Sequence, residues 1–285
     1  MGLEKFGVEA RGYAAGFFDA EGCVLISRER ERIYRLRVAI TSTDRGVLEW
    51  FSSKFGGWVT NQPDNRPNKR KRWCWVAWSS TAAEFLRFVL PDLIIKREQV
   101  DLALAFWKRV GKAIRLSGDE IVVRESFKER ISSLKAKVDL GSVAHVSPSY
   151  AAGFFDGEGS VSIGEVLPGY YALQIRISNT VRCVLEGFVA TFGGRVCVKD
   201  STRNRDKYVR KIAWTWYVNS DASVAFLREI LPHLIVKKNQ AVLGISYALE
   251  KKPMTGEALR RFGEDCRAKM MSMNLGKVET IPAGP

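Results

Sequence analysis

The chain has 285 residues, 46% of them hydrophobic, and its 45 Lys and Arg against 31 Asp and Glu give a net charge of +14 and a pI near 9.7. That length and composition can bury one large core or two modest ones. The lack of a long apolar run, or of a basic-then-apolar leader, argues against a membrane span or a secretory signal. Five cysteines, an odd number without C-x-x-C spacing, argue against a zinc site or a disulfide framework and for a soluble protein in a reducing, intracellular setting, organellar or prokaryotic. The positive excess favours a polyanionic partner.

In chain order, the first segment is also the one that decides the architecture. Tyr13-Ala-Ala-Gly-Phe-Phe-Asp-Ala-Glu-Gly22 returns as Tyr150-Ala-Ala-Gly-Phe-Phe-Asp-Gly-Glu-Gly159. Each copy reads as a helix of small and apolar residues that ends in an acid and stops at a glycine. Two alternating runs follow, 24–30 and 34–42. In the second, Leu36, Val38 and Ile40 point one way while Arg35, Arg37 and Thr41 point the other, the period of a half-buried strand. A helix over 44–55 is stopped by Gly56-Gly57, and strands over 58–62 and 72–78 flank a polar, basic loop. Helices over about 82–89 and 96–110 complete the unit, the first ending before Pro91.

The same order repeats. Leu36-Arg-Val-Ala-Ile-Thr-Ser42 is answered by Leu173-Gln-Ile-Arg-Ile-Ser-Asn179, Phe55-Gly-Gly57 by Phe192-Gly-Gly194 and Trp73-Cys-Trp75 by Trp214-Thr-Trp216. Leu90-Pro-Asp-Leu-Ile-Ile-Lys96 is answered by Leu231-Pro-His-Leu-Ile-Val-Lys237. Internal repetition fixes the architecture before any local reading does. The fold class is therefore α+β, a pseudo-twofold tandem repeat of α-β-β-α-β-β-α units. Residues 1–111 form the first half and 148–253 the second, with a trailing helix and connector at 112–147 and a trailing helix and tail at 254–285. Those trailing helices carry Val123, Phe127, Ile131, Leu134 and Val138 in one case and Leu259, Phe262, Cys266, Met270 and Met273 in the other, both at helical spacing.

The repeated block resembles the LAGLIDADG motif of homing endonucleases, in the single-chain form that carries two copies. Alanine replaces the first leucine, two phenylalanines replace the central leucine-isoleucine pair, and glutamate replaces the last aspartate. The likeness covers roughly residues 10–110 and 148–250. It implies two antiparallel sheets forming a DNA-binding saddle, and a metal-dependent phosphodiester hydrolase that cuts one strand per half. It also implies that Glu21 and Glu158 bind metal, with the carbonyls of Ala20 and Gly157 as further ligands, while Asp19 and Asp156 support structure. The cofactor implied is Mg2+ or another divalent cation such as Mn2+.

The residues carry a physical logic of their own. Helices that cross face to face need small residues where their backbones meet, and Ala15, Gly16, Ala152 and Gly153 supply them. Two glutamates brought together repel unless divalent cations sit between them. Metal-bound carboxylates suit in-line displacement at phosphorus. Lys96 and Lys237 stand at matched helix starts, where a cation is electrostatically disfavoured and so points to function; the resemblance places them near the scissile phosphates.

Strand alternation assigns the DNA face. It turns Arg35, Arg37, Thr41, Gln174, Arg176 and Ser178 outward, with Ser27, Glu29, Thr60, Gln62, Arg195 and Lys199 nearby. Arginine reads guanine and glutamine reads adenine from such a face. Ser42 and Asn179 hold matched strand ends, where the resemblance implies a polar residue that organises water. Lys69, Arg70, Lys71 and Arg72, with Arg203 and Arg205, lie on loops suited to phosphate contact. Trp73, Trp75, Trp214 and Trp216 read as core. The expected partner is double-stranded DNA, bound by a monomer without an obligate protein partner or a membrane. An RNA maturase acting on host intron RNA, or a nuclease-inactive DNA-binding relative, is the alternative.

Overall fold

The computed structural model describes residues 6–30, 33–63, 70–110, 118–134, 141, 143–198, 212–219 and 221–275. Two compact units divide the chain at Met1–Glu158 and Gly159–Pro285. Val138, Lys69, Lys199, Arg203 and Arg205 lie outside the described residues.

The first unit opens with α1 (Val8–Glu21) and runs on through β1 (Gly22–Arg30), β2 (Ile33–Ser42), α2 (Arg45–Phe55), β3 (Trp58–Gln62), β4 (Arg72–Trp78), α3 (Ser79–Val89), α4 (Arg97–Val110) and α5 (Gly118–Leu134). It closes with the second motif helix, α6 (Pro148–Glu158). Its four strands are antiparallel in the order β1-β2-β4-β3. Val24, Ile26, Leu36, Val38 and Ile40 are buried on the helix side, as their period of two requires.

The Phe-Gly-Gly turn is fixed by geometry. Gly57 has a φ of 77°, and a Cβ there would lie 2.4 Å from the Val76 carbonyl oxygen. That close approach lets the Trp75 indole N–H donate to the Gly56 carbonyl at 2.8 Å. Trp75 is then fully buried among Phe51 and Phe85. Aromatic rings packed edge-on in this way contribute beyond their buried area.

The second unit holds β5 (Gly159–Leu167), β6 (Tyr170–Asn179), α7 (Arg182–Phe192), β7 (Arg195–Val198), β8 (Trp214–Asn219), α8 (Asp221–Ile230), α9 (Lys238–Glu250) and α10 (Gly256–Asn274). Its sheet repeats the order as β5-β6-β8-β7, antiparallel throughout. Trp216 repeats Trp75, donating to the Gly193 carbonyl at 2.8 Å beside Phe188 and Phe226. Of the four tryptophans read as core, Trp75 and Trp216 are fully buried, whereas Trp73 and Trp214 are half-buried beneath Lys71 and Arg182.

Helix α1 stops at Gly22 as read from the sequence, with φ −79° and ψ 155°; a Cβ there would lie 2.0 Å from the Phe18 ring, and that close approach requires glycine. Two local expectations need correction. The third helix begins at Ser79 rather than near residue 82, because Ser79 takes a left-handed φ of 52° and turns the chain straight out of β4. In α5, which packs on β1 and α4, the buried residues are Ile131 and Arg124, the latter bonded to Glu120 at 3.3 Å. Val123, Phe127 and Leu134 are half-buried. A buried arginine paired with a partly exposed glutamate thus sits beside the apolar stripe read from spacing. In α10, which packs on β5, β6 and α9, Cys266 and Met270 are buried as the pattern requires.

Candidate active site

The site is built at the crossing of α1 and α6. Ala14, Ala15, Ala151 and Ala152 are fully buried there, and the backbones touch. A Cβ at Gly16 would lie 2.1 Å from the Tyr150 carbonyl oxygen, and one at Gly153 the same distance from that of Tyr13. At the far end, a Cβ at Gly157 would lie 2.4 Å from the Ala20 Cβ and 3.2 Å from Glu21 Cγ. The C-terminal ends of the two helices therefore adjoin, and each ends in its glutamate. Glu21 is exposed and Glu158 half-buried. The sequence difference between Ala20 and Gly157 follows from this contact: the two positions share room for one methyl group.

Asp19 and Asp156, the rival acids, are both buried and hydrogen-bonded. Asp19 Oδ2 accepts from the backbone N–H of Ile94 at 2.8 Å and of Ile95 at 2.9 Å, and Oδ1 from that of Lys96 at 2.9 Å. The Tyr150 hydroxyl donates to the same Oδ2 at 2.8 Å, and the Tyr13 hydroxyl donates reciprocally to Asp156 Oδ2 at 2.8 Å. Burial, followed by the charge of Asp156, raises the Tyr13 phenol well above its ordinary value and keeps it a donor. Tyr13 and Tyr150 were not singled out from the sequence as functional residues, although they open the two copies of the repeat.

Lys96 stands just before α4, with its ammonium donating to the Asp19 carbonyl oxygen and lying 5.8 Å from the Phe18 ring centre. Burial lowers its pKa from 10.5; the charges of Asp19, Cys23, Glu158 and Glu21 oppose that shift. Both motif glutamates therefore act electrostatically on one lysine. Lys237 is half-buried just ahead of α9 in the second unit.

A folded value below the unfolded one means that the unfolded chain binds more protons between them, so Lys96 makes stability rise with pH up to about 10.5. At neutral pH its buried charge is a cost. We expect Lys96→Met to be as stable as the parent protein or more so, with the parent gaining on it as pH approaches 10.5. Urea midpoints of both proteins across that range check this; a variant much less stable at neutral pH contradicts it.

On the sheets, register sets the outward faces. Ser27 faces Arg35, Leu25 faces Arg37, Thr41 faces Cys74, Thr60 faces Cys74 and Gln62 faces Arg72 across the strand pairs of the first unit. Arg35 is paired with Glu29 at 3.3 Å. Arg37 lies over Trp78 at 5.1 Å, which restrains its guanidinium. Trp58, exposed on the same face, was not singled out from the sequence. In the second unit, Arg176 donates to Gln174 at 2.8 Å, Ser178 bonds Thr215 at 2.9 Å and Arg195 lies over Tyr217 at 4.6 Å. Arg70 and Lys71 are exposed, and Arg72 is half-buried.

Ser42 and Asn179 have an evident local task. Ser42 Oγ accepts from the Asp44 N–H at 3.0 Å, and Asn179 Oδ1 from the Val181 N–H at 2.9 Å. Each shapes the turn into the next helix, which either residue type can do.

Among the described residues, no three His, Cys, Asp or Glu side chains converge on a metal-sized space, and no helix is long and apolar enough to cross a membrane. The donor set at the helix ends is two carboxylates beside the backbone carbonyls of Ala20 and Gly157. Those are hard oxygen donors, too few to enclose a cation, and they suit one that keeps water and substrate oxygens in its shell.

Each unit carries a four-stranded antiparallel sheet in the same strand order, and solved structures that share this fold are LAGLIDADG homing endonucleases. The chain is similar to the LAGLIDADG homing endonuclease I-GzeII in complex with its DNA target, at 18% identity and a TM-score of 0.69, covering 92% of this chain and 97% of that one. It is similar to I-SmaMI bound to cleaved DNA at 19% identity and 0.68, covering 94% and 98%. I-SmaMI bound to uncleaved DNA in the presence of calcium ions matches at 18% and 0.66, covering 93% and 98%. No protein-family model and no curated protein matches the chain.

Proposed function

We propose that this chain is a site-specific double-strand DNA endonuclease of the homing type, acting as a monomer and hydrolysing one phosphodiester per strand at a long, partly asymmetric target. The observation that carries the reading is the adjoining of the two motif-helix ends, with Lys96 in the field of both Glu21 and Glu158. Glu21 and Glu158, with the carbonyls of Ala20 and Gly157, hold a divalent cation such as Mg2+ or Mn2+. When bound, the cation supplies an activated water and stabilisation of the leaving oxygen. Lys96 places positive charge where phosphoryl charge develops, and Lys237 is its counterpart in the second unit. Three of the similar solved structures are bound to DNA, one of them to cleaved DNA and one with calcium ions present, which supports the same substrate and cofactor class here.

Arg37 is the foremost candidate for base readout, since Trp78 holds it on the outward face of a central strand. We expect Arg37→Ala to cost roughly 1–3 kcal/mol of binding and to relax preference at one or two base pairs. Neutralising the exposed Arg70 and Lys71, just ahead of β4, should weaken all sequences alike and flatten the salt dependence. Cleavage across single-base target variants separates the two; a change of preference in the loop variant alone reverses the assignment.

The test of function is incubation of the protein with a randomised duplex library and Mg2+, followed by sequencing of cut ends. Recovery of one extended site supports the proposal. Binding without cutting marks a nuclease-inactive relative, and selective binding of structured intron RNA marks a maturase.

A further inference from the structure

We infer that Tyr150, on the second motif helix, is a positioning residue for Lys96 of the first half, acting through Asp19. This rests on the proposed endonuclease, in which Lys96 serves the reacting phosphate. Asp19 Oδ2 receives three donors: the Tyr150 hydroxyl and the N–H groups of Ile94 and Ile95. Its other oxygen receives the Lys96 N–H, and its backbone carbonyl receives the Lys96 ammonium. Lys96 is thus tied to Asp19 at both ends of the residue. The turn that carries it has no regular ladder of its own, so the carboxylate sets the direction of that turn.

Asp19 itself lies on α1 and is free to pivot about its side-chain bonds unless its oxygens are fixed from outside. The Tyr150 hydroxyl is the donor that comes from α6. A phenylalanine would fill the same buried space, so packing alone does not account for the hydroxyl, which when buried requires a partner. Asp19 and Tyr150 are each only 2% exposed, so the lost bond lies away from bulk solvent. A residue of the second motif helix thereby governs the alignment of the lysine of the first repeat through a buried hydrogen bond. The reciprocal Tyr13–Asp156 bond touches neither Asp19 nor the turn at 94–96.

The experiment resolves the two strands of the selected target in single-turnover cleavage at saturating protein. Lys96→Met first identifies the strand that Lys96 serves. Tyr150→Phe should slow that strand about five- to tenfold, the effect of one net hydrogen bond, with unchanged DNA affinity. Tyr13→Phe should leave the same strand at the parental rate. In the double variant, Tyr150→Phe should add nothing to Lys96→Met on that strand, because both act through one group. This non-additivity is read as a ratio of rates and survives any general loss of stability. Equal slowing of both strands by either tyrosine variant, or additive effects with Lys96→Met, overturns the proposal. An unaltered rate in Lys96→Met removes the lysine's role and this proposal with it. A slow Lys96→Met beside a parental Tyr150→Phe overturns this proposal alone.

Discussion

Gly16→Ala is expected to destabilise the protein by at least about 3 kcal/mol, towards the upper end of overpacking substitutions. The added methyl group would sit 2.1 Å from the Tyr150 carbonyl oxygen and 2.9 Å from the Phe154 nitrogen, both backbone atoms that no rotamer change can move aside. Relief requires the helices to separate along their whole crossing, loosening Ala15, Ala152 and the Tyr150–Asp19 bond together. Gly153→Ala meets the Tyr13 carbonyl at the same distance and should cost a similar amount. Domain stabilities of about 5–15 kcal/mol leave little margin for such a loss. Gly118→Ala is the control, since a Cβ there meets nothing within 4 Å. Urea unfolding of the three variants decides the matter, and a Gly16→Ala loss below about 1 kcal/mol would show that α1 and α6 part readily.

The repeat made most of the architecture legible from sequence. A period-two pattern that recurs in two places is unlike chance alternation, and the outward set from Ser27 to Gln62 follows from register once one strand is placed. The Phe-Gly-Gly turns were legible for the same reason, although their cause, the approach of Gly57 to β4, was not. What stayed hidden depends on tertiary geometry. Tyr13 and Tyr150 are visible as repeated letters, but their pairing with Asp156 and Asp19 depends on how the helices cross, which no local pattern encodes. Arg124 is buried because Glu120 meets it, an arrangement that hydrophobic periodicity reads as solvent-facing. Ser42 and Asn179 differ in type yet perform one local task, so comparison of the halves by letter understated their equivalence. Asp19 was readable as structural only through resemblance; its four donors supply the physical reason.

The chemical step carries the other large expected effect. Glu21→Gln or Glu158→Gln should abolish double-strand cutting, with the affected step slowed on the order of 10²–10³-fold or more, the scale of losing a group that stabilises transition-state charge. Glutamine keeps the shape of each helix end, so folding should be largely retained. Binding of the uncut target should stay near the parental level or tighten slightly, since a negative charge facing phosphates has been removed. Gly157→Ala offers an intermediate case. Its methyl group presses on Ala20 and Glu21 rather than on backbone oxygens, so it should slow cutting by shifting one carboxylate while costing less stability than Gly16→Ala. The measurements are single-turnover cleavage in Mg2+ and equilibrium binding in the absence of cutting, made on the same selected target. Full cleavage by the double variant Glu21→Gln/Glu158→Gln would sink the assignment of the active site, and weak binding by either single variant would recast the glutamates as structural groups.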